Sequence, residues 1–316
     1  MDEQYSLIDL KKVKTYPLSK RKSKVNTGDF GKIFPKNGSF KVFWDCLPNI
    51  LAGKDLKEIV SRIISAHQKK KAVVLAMGAH SLKVGLSPII IELMKERVIT
   101  SLALNGAGII HDFELAVISQ TSEEVDTQIL DGSFGMSEEP GKFINEAIAE
   151  GVKKGWGIGR SVGKKLIELN PPFINQSILA AGARLNIPIT VHITIGADTI
   201  HLHPSASGSD LGEGSHRDFR LFASIISRLE EGVYINLGSA VVLPEVFLKA
   251  LTLVRNLGFL VKNFTTVNLD FIQHYRPLTN VVKRPTREGG KGFSLTGHHE
   301  ILFPLLSAGI LEGLKR

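Results

Sequence analysis

The chain has 316 residues, of which 43% are apolar and 22% are charged, and its formal net charge is +8. This balance is typical of a globular protein and excludes a disordered chain. The single cysteine, Cys46, excludes an internal disulfide and a cysteine-based metal cage, so we expect a reducing, cytoplasmic compartment. No secretory leader opens the chain and no apolar run reaches membrane-spanning length, so we expect no membrane partner.

The excess positive charge lies mainly near the N-terminus, in 11–24 and 69–71. Three interpretations are open: a solvated basic surface, attraction of a phosphate-bearing small molecule, or an arm that binds nucleic acid. The aromatic content of 7% does not supply the interleaved stacking residues of a single-strand binder. We therefore do not expect a nucleic-acid partner.

The chain divides into two predicted segments. Residues 1–50 show little periodicity and are interpreted as an extended arm that wraps a core or a neighbouring subunit. Residues 51–316 are interpreted as one α/β domain, with a Gly-rich helical insertion at 120–175 on the crevice side of its sheet.

Apolar periodicity and turn residues predict the elements of the α/β domain. The predicted helices are 55–69, 86–97, 112–119, 122–129, 141–151, 161–169, 177–185, 216–229, 244–257 and 299–314, and the predicted strands are 71–77, 98–104, 187–194, 233–237 and 259–266. Strands that alternate with helices predict a single Rossmann-like, doubly wound parallel sheet with helices on both faces.

Small residues follow the carboxyl end of one predicted strand after another. They are Gly78, 105–108, Gly196, 238–239 and 265–266. In open parallel sheets ligands bind outside the carboxyl ends of the strands. Glycine there lets a ligand approach the backbone, and the following helix offers free N–H groups to an anion. We therefore expect one crevice for a nucleotide-sized ligand.

Five stretches carry a resemblance to a known family. They are 78–81 with 84–86, 102–109 with Asp112, 186–188 with Thr194 and 196–198, 236–242, and 301–306. The last reads Ile-Leu-Phe-Pro-Leu-Leu and is quite specific this close to a C-terminus. Read in order, these stretches resemble the deoxyhypusine synthase family over most of the chain from about residue 50.

The resemblance implies a nicotinamide-binding α/β fold and a homotetramer with NAD bound near subunit interfaces. It also implies a reaction in which an amine is oxidised by NAD and an alkyl group passes through an imine on a lysine. Carried over residue by residue, the resemblance assigns cofactor binding to Gly78, Ser81, Asn105, Gly106, Ala107, Gly108, Asp198, Gly238, Ser239 and His298. We expect a small-molecule substrate and a homo-oligomer, either a dimer or a tetramer.

The chain departs from the family where the catalytic groups lie. Ile110 and His111 stand where the family holds its polyamine with acidic residues, and Pro244 and Glu245 stand near its catalytic histidine. The nucleophilic lysine aligns with Lys291 only if a gap is allowed. A cationic substrate needs carboxylates. We therefore expect an NAD-binding enzyme, transferase-like or oxidoreductase-like, that acts on a small non-polyamine substrate and is not a true deoxyhypusine synthase.

The expected catalytic residues are His111, Lys291, His299 and Glu300. His111 or His299 would act as the acid or base, and Lys291 as an electrophile clamp or an imine-forming lysine. Each histidine could instead be a hydrogen-bonded structural residue. The segment 283–292 is expected to be a loop, either mobile or clamping an anion.

Two alternatives stay open on the same fold. One is a metal-assisted hydrolase or lyase, with a divalent ion held by His201, His203, His298 and Glu300. The other is a non-catalytic nucleotide-binding protein. A separate local prediction is that Ser215 caps the helix at 216–229.

Overall fold

The computed structural model describes residues 5–315 of the chain. The first four residues of the predicted arm lie outside the described residues. Backbone contacts divide the chain into two units, Met1–Lys54 and Asp55–Arg316. Within residues 5–315, no helix combines the length and the apolar character needed to cross a bilayer.

The first unit contains little regular structure. It has 3-10 turns at Leu10–Lys12, Leu18–Lys20 and Thr27–Asp29, and one helix, α1 (Phe40–Cys46). Phe43 packs against the rings of Phe34 and Phe40, with centroids 5.9 and 6.0 Å away. Upstream apolar side chains such as Leu7 and Ile33 are almost fully exposed.

Six parallel strands form the sheet of the second unit. They are β1 (Val73–Met77), β2 (Ser101–Asn105), β3 (Ile189–His192), β4 (Val233–Leu237), β5 (Thr265–Asp270) and β6 (Lys291–Thr296). Their order across the sheet is β3-β2-β1-β4-β5-β6. All five neighbouring pairs are parallel. The predicted single doubly wound parallel sheet is confirmed.

Helices surround this sheet. They are α2 (Leu51–Gln68), α3 (His80–Lys83), α4 (Ser87–Lys95), α5 (Gly106–Ile118), α6 (Val125–Asp131), α7 (Glu138–Lys153), α8 (Ile158–Leu169), α9 (Ile178–Leu185), α10 (Gly208–Ile226), α11 (Val242–Asn256), α12 (Tyr275–Pro277) and α13 (His299–Leu314). Every residue of β1, β4 and β5 is buried, because helices cover both faces of the central strands. On one face, the ring of Tyr234 in β4 stacks on that of Phe247 in α11 with centroids 3.8 Å apart.

One predicted strand is misplaced, and one strand was not predicted. The predicted strand 259–266 takes in an apolar stretch whose Phe259 and Leu260 side chains are exposed, whereas β5 begins only at Thr265. The segment 283–292 was expected to be a loop, and residues 284–290 do form turns, but the strand β6, which begins at Lys291, was not predicted. Both strands were hidden because their sequences, TTVNLD and KGFSLT, are more polar than those of the central strands.

The helix α10 also begins earlier than the prediction. Its N-cap is Ser207, whose hydroxyl accepts a hydrogen bond from the backbone N–H of Asp210. Ser215 therefore lies inside the helix, and its predicted capping role is wrong.

Ser215 and Asp218 instead cover the free edge of β3. Asp218 accepts hydrogen bonds from the N–H groups of Val191 and Gly159, both at 2.9 Å. The Ser215 hydroxyl donates to the carbonyl of Val191 and accepts from the N–H of Ile193. Burial raises the pKa of Asp218 to about 7, against the opposing effect of its backbone donors.

Candidate functional site

The order of the strands defines where the crevice lies. The chain leaves β1 in one direction along the sheet for β2 and β3, and in the other for β4, β5 and β6. The carboxyl ends of β1 and β4 therefore flank the switch point at which doubly wound sheets bind ligands. Met77 and Leu237 end these two strands in register.

Two glycines bring the loops after β1 and β4 into close contact. A Cβ atom on Gly78 would lie 2.5 Å from the carbonyl oxygen of Gly238. Gly238 has a φ of +63°, and a Cβ there would lie 2.4 Å from the Cε1 atom of His299. Only glycine fits both positions, so the backbone itself forms the wall against which His299 packs.

His299 is the most unusual side chain at this edge. It is only 1% exposed, and its Nε2 atom lies 3.5 Å from Oδ1 of Asp270. Within residues 5–315, neither ring nitrogen of His299 has a hydrogen-bond partner. Buried polar atoms normally have hydrogen-bond partners, so an imidazole without one at this position indicates a group whose partner is a ligand.

Aromatic rings surround His299 on its outer side. The exposed ring of His80 lies 5.4 Å from that of His299, and Phe271 contacts both rings at 5.9 and 5.7 Å. His298 stacks on the far part of the cluster, 6.3 Å from Phe271. The pKa of His80 is lowered, first by burial and then by the neighbouring His299. We call Gly78, His80, Gly238, Asp270 and His299 the open half of the carboxyl edge.

A ladder of buried amides fixes the loops of the open half. The side chain of Asn236 in β4 donates to Oδ1 of Asn268 in β5 at 2.7 Å and to the carbonyl of Ser239. Asn268 donates in turn to Gln273, whose amide donates to the carbonyl of Leu295 in β6. The ladder ties the ends of three strands together and holds the loops next to His299 in place.

The carboxyl ends of β2 and β3 are arranged differently. Asn105 caps α5 by accepting from the N–H of Gly108 at 3.2 Å. The buried carboxylate of Asp198 accepts from the N–H of Ala107. A Cβ on Gly106 would lie 1.9 Å from Oδ2 of Asp198, so only glycine admits that carboxylate. We call 105–108 and Asp198 the closed half, because the chain's own oxygens occupy the start of α5.

His201 faces Asp198 across a short gap in the closed half. Its Nε2 atom lies 4.0 Å from Oδ2 of Asp198, and its Nδ1 atom accepts from the N–H of Gly196 at 3.1 Å. The hydrogen bond to Nδ1 requires the proton of a neutral imidazole to sit on Nε2, directed at Asp198. Burial raises the pKa of Asp198.

Comparison with known proteins gives a likeness of fold. No protein-family model and no curated protein matches the chain. A candidate deoxyhypusine synthase from Entamoeba histolytica superposes with a TM-score of 0.51 at 13% identity, covering 90% of this chain and 98% of that one. The chain has a deoxyhypusine-synthase-like fold.

Two other solved structures share this deoxyhypusine-synthase-like fold. A conserved candidate LOR/SDH protein from Methanococcus maripaludis S2 has a TM-score of 0.51 at 14% identity, over 84% of this chain and 71% of that chain. The ternary complex of AgrE with ornithine and NAD+ has a TM-score of 0.55 at 15% identity, over 83% of this chain. The chain spans only 33% of the length of AgrE.

Other residues with a predicted cofactor or catalytic role lie near the open half. The buried hydroxyl of Ser81 donates to the carbonyl of Gly78 at 2.8 Å. The hydroxyl of Ser239 accepts from the N–H of Leu243 in the first turn of α11. His298 and Glu300 are largely exposed at the start of α13, with 3.8 Å between Nδ1 and Oε1.

Two predicted catalytic residues of the deoxyhypusine-synthase-like chain lie elsewhere. His111 lies in α5, where its Nδ1 atom is 2.6 Å from the hydroxyl of Thr121 and 3.3 Å from Glu114. Lys291 begins β6 and pairs with Glu58 at 2.6 Å. Because the amino ends of parallel strands lie at the opposite edge of the sheet, Lys291 is not part of the crevice of its own chain.

The ligand set of the metal-assisted alternative does not form. His203 bonds to the carbonyl of Gly135 at 3.0 Å, whereas His201 belongs to the closed half. In the part of the chain that the structure describes, no group of three or more His, Cys, Asp or Glu side chains could hold a metal ion.

Asp270 is the functional candidate that sequence reasoning missed. It is the last residue of β5 and is 4% exposed. The predicted strand ended at residue 266, so Asp270 was assigned to no strand end. The signal available in the sequence was the run TTVNLD, whose β-branched and apolar residues continue to a carboxylate at residue 270.

Proposed function

We propose that this deoxyhypusine-synthase-like chain is a cytoplasmic enzyme that binds NAD in the open half and acts on a small substrate other than a polyamine. The observation that carries the proposal is the buried, unpaired imidazole of His299 at the sheet's switch point. The AgrE ternary complex, which contains NAD+ on a similar fold, supports the choice of cofactor.

The residues of the open half fit a dinucleotide. Asp270 and His299 offer acceptor and donor atoms of the kind that hydroxyl and amide groups of a nucleotide need. The first N–H groups of α13, a helix of sixteen residues, lie beside them and favour an anion. In the closed half the corresponding donors of α5 already bond to Asn105 and Asp198. We therefore assign the cofactor to the open half and not to α5.

The bound cofactor would supply the capacity to accept a hydride from carbon. The chain's own contribution would be to orient the substrate, to exclude water and to move protons. Phe271 and His298 form the outer wall for this purpose, since their rings stack with an interplanar angle of 10°. His299 lies behind that wall and is shielded from bulk water.

The residues of this chain that correspond to the polyamine-binding residues of the resembled family favour a different substrate. Ile110 is buried and apolar there. His111 is engaged with Glu114 and Thr121, so the adjacent carboxylate already has partners. A substrate with several positive charges would find no matching row of free carboxylates at these two positions.

We also propose that the protein is a homo-oligomer. Phe271, Ile272 and Tyr275 expose 46%, 52% and 73% of their surface beside the open half. A second copy of the chain would cover this apolar rim. Light scattering coupled to size-exclusion chromatography should give the mass of a dimer or tetramer, and a monomer at all concentrations would contradict this.

Thermal unfolding tests the proposed cofactor. NAD, NADH and NADP at millimolar concentration are added to the purified full chain, and a bound dinucleotide should raise Tm. At a concentration 100 times Kd, the gain in unfolding free energy is about 2.7 kcal/mol. His299→Gln should abolish the gain, whereas Lys291→Ala at the opposite edge should retain it. The absence of stabilisation by every dinucleotide would overturn the proposal.

A further inference from the structure

We infer that His80 takes a proton from a hydroxyl or amino group of the substrate in the open half, and that His299 and Asp270 act on His80 through ring contact and charge rather than through a continuous chain of hydrogen bonds; we call these three residues the relay. This inference rests on the proposed function, and it deepens it by naming the proton acceptor. The order of the three groups follows their burial. Asp270 and His299 are 4% and 1% exposed, while His80 is exposed at the surface of the crevice.

Asp270 is the fixed end of the relay. Its Oδ1 atom accepts a hydrogen bond from the N–H of Phe271 at 2.9 Å, so the strand end holds the carboxylate in place. The same oxygen lies 3.5 Å from Nε2 of His299. A carboxylate beside one ring nitrogen favours the proton on that nitrogen and leaves the other as an acceptor.

His299 is the middle of the relay, between Asp270 and His80, and it acts on the substrate through His80 in addition to its proposed contact with the cofactor. Gly238 packs against its Cε1 side, so the ring cannot rotate freely. Its edge meets the ring of His80, with the centroids 5.4 Å apart and an interplanar angle of 62°. A positive charge that forms on His80 therefore interacts electrostatically with His299 and Asp270.

His80 is the end of the relay that a substrate can touch. The charged groups that act on it are His299, Glu300, Lys83 and Asp270, and Phe271 covers one side of its ring. Burial, His299 and Lys83 lower its pKa, whereas the two carboxylates raise it. A neutral imidazole near neutral pH is the form that accepts a proton.

The proton balance of the step is simple. The O–H or N–H bond of the substrate breaks, its electron pair stays on the oxygen or nitrogen, and the proton moves to a ring nitrogen of His80. The substrate class is therefore an alcohol or an amine whose carbon carries a hydrogen. Removal of the first proton prepares that carbon for oxidation by the cofactor of the proposed function.

Histidine titration by NMR tests the relay without any cofactor. In protein with 15N-labelled histidine, His299→Gln should raise the pKa of His80, because it removes a group that lowers it. Asp270→Asn should lower the pKa of His80, because it removes a group that raises it. We expect opposite shifts of several tenths of a pH unit. Lys291→Ala, at the other edge of the sheet, should leave the titration unchanged.

A second measurement tests the relay even if the variants at the buried residues His299 and Asp270 fold poorly. His80 is exposed, so His80→Gln should fold normally. In this variant NAD should still raise Tm, but the dependence of that rise on pH between about 5 and 8 should disappear. A His80 pKa that is unmoved in both buried variants, or a His80→Gln variant with the wild-type pH dependence, would overturn the relay. The proposed function fails separately, through loss of NAD stabilisation in the wild type.

Discussion

The two halves of the carboxyl edge use buried polar residues in opposite ways. In the closed half, Asn105 and Asp198 direct their oxygens at backbone N–H groups of α5. In the open half, Asp270 and His299 are just as buried, yet within residues 5–315 the imidazole nitrogens have no hydrogen-bond partner. In the closed half, Oδ2 of Asp198 and Nε2 of His201 also lack a hydrogen-bond partner within these residues. The two halves therefore differ in one respect: the first N–H groups of α5 are bonded to the chain's own oxygens, whereas the imidazole of His299 has no hydrogen bond on either nitrogen.

This difference between the halves has different consequences for folding and for ligand binding. A buried polar group without a partner costs about 1–3 kcal/mol, and a ligand that supplies the partner removes this cost. The closed half incurs no such cost at α5, whose first donors are bonded to the chain itself. We therefore expect substitutions in the closed half to act on folding, and substitutions of the imidazoles in the open half to act on binding.

The largest effect is expected at Gly238, the backbone wall of the open half. Gly238→Ala should lower the unfolding free energy by about 3 kcal/mol, because left-handed backbone costs about 1–2 kcal/mol and crowding against His299 adds about 1–3 kcal/mol. Chemical denaturation measures the loss. Gly258→Ala is the matched control, since Gly258 has a φ of +87° but no atom within 4 Å of its Cβ position. Equal losses in the two variants would show that His299 does not press on Gly238.

The next effect is expected in the closed half. Asp198→Ala should destabilise the protein by about 1–2 kcal/mol, the usual cost of losing an acceptor at a helix start. Asp198→Asn keeps one acceptor oxygen and should lose less. Neither variant should weaken the rise in Tm with NAD. If both abolish that rise, the cofactor contacts the closed half as well, and the contrast between the halves fails.

An effect that depends on pH is expected from the carboxylate behind β3. The pKa of Asp218 rises from 3.8 to about 7 on folding, so the folded state binds this proton more tightly than the unfolded state. Its contribution to stability is therefore full below pH 3.8 and is lost as pH rises to about 7. Denaturation at several pH values should show a flatter profile for Asp218→Asn across this window.

His192 provides the internal reference for that experiment. Burial lowers its pKa to about 3, which gives a contribution of opposite sign that is lost as pH falls below 6.5. Because His192 is present in both proteins, the difference between their profiles isolates Asp218. Parallel profiles would mean that Asp218 keeps its ordinary pKa in the folded protein.

The smallest effect is expected at Lys291, outside both halves. Its ion pair with Glu58 is about half exposed on the lysine side, and exposed pairs contribute about 0–1 kcal/mol. Lys291→Ala should therefore change Tm only slightly and leave the NAD-induced rise intact. Loss of that rise would mean that Lys291 reaches the open half of another copy of the chain.

The central elements could be predicted from the sequence because their patterns are strong. The bounds of β4 and α13, Val233–Leu237 and His299–Leu314, agree with the prediction. Both are predominantly apolar and are flanked by glycine or polar residues. The strands β5 and β6 gave a weaker pattern, because polar residues such as Asn268 are paired through their side chains and apolar residues are not required at those positions.

The candidate site could be predicted only in part. Gly78, Gly238 and His299 were expected at one crevice, and the structure brings them together. Asp270 was missed because its strand was placed too early in the chain. Lys291 was included in the predicted site because its position in the sequence does not show at which end of a strand it lies. It is the first residue of β6, and the sequence of β6 is not apolar enough to reveal the strand.

The side chains along β3 have a consequence for how copies of the sheet can meet. Asp218 and Ser215 use the outward N–H and C=O of Val191 and the N–H of Ile193. An extra strand has no row of free groups to pair with there. A strand from a second molecule could therefore pair with this edge only after displacing the side chains of Asp218 and Ser215, and these two residues protect β3 against edge-to-edge association.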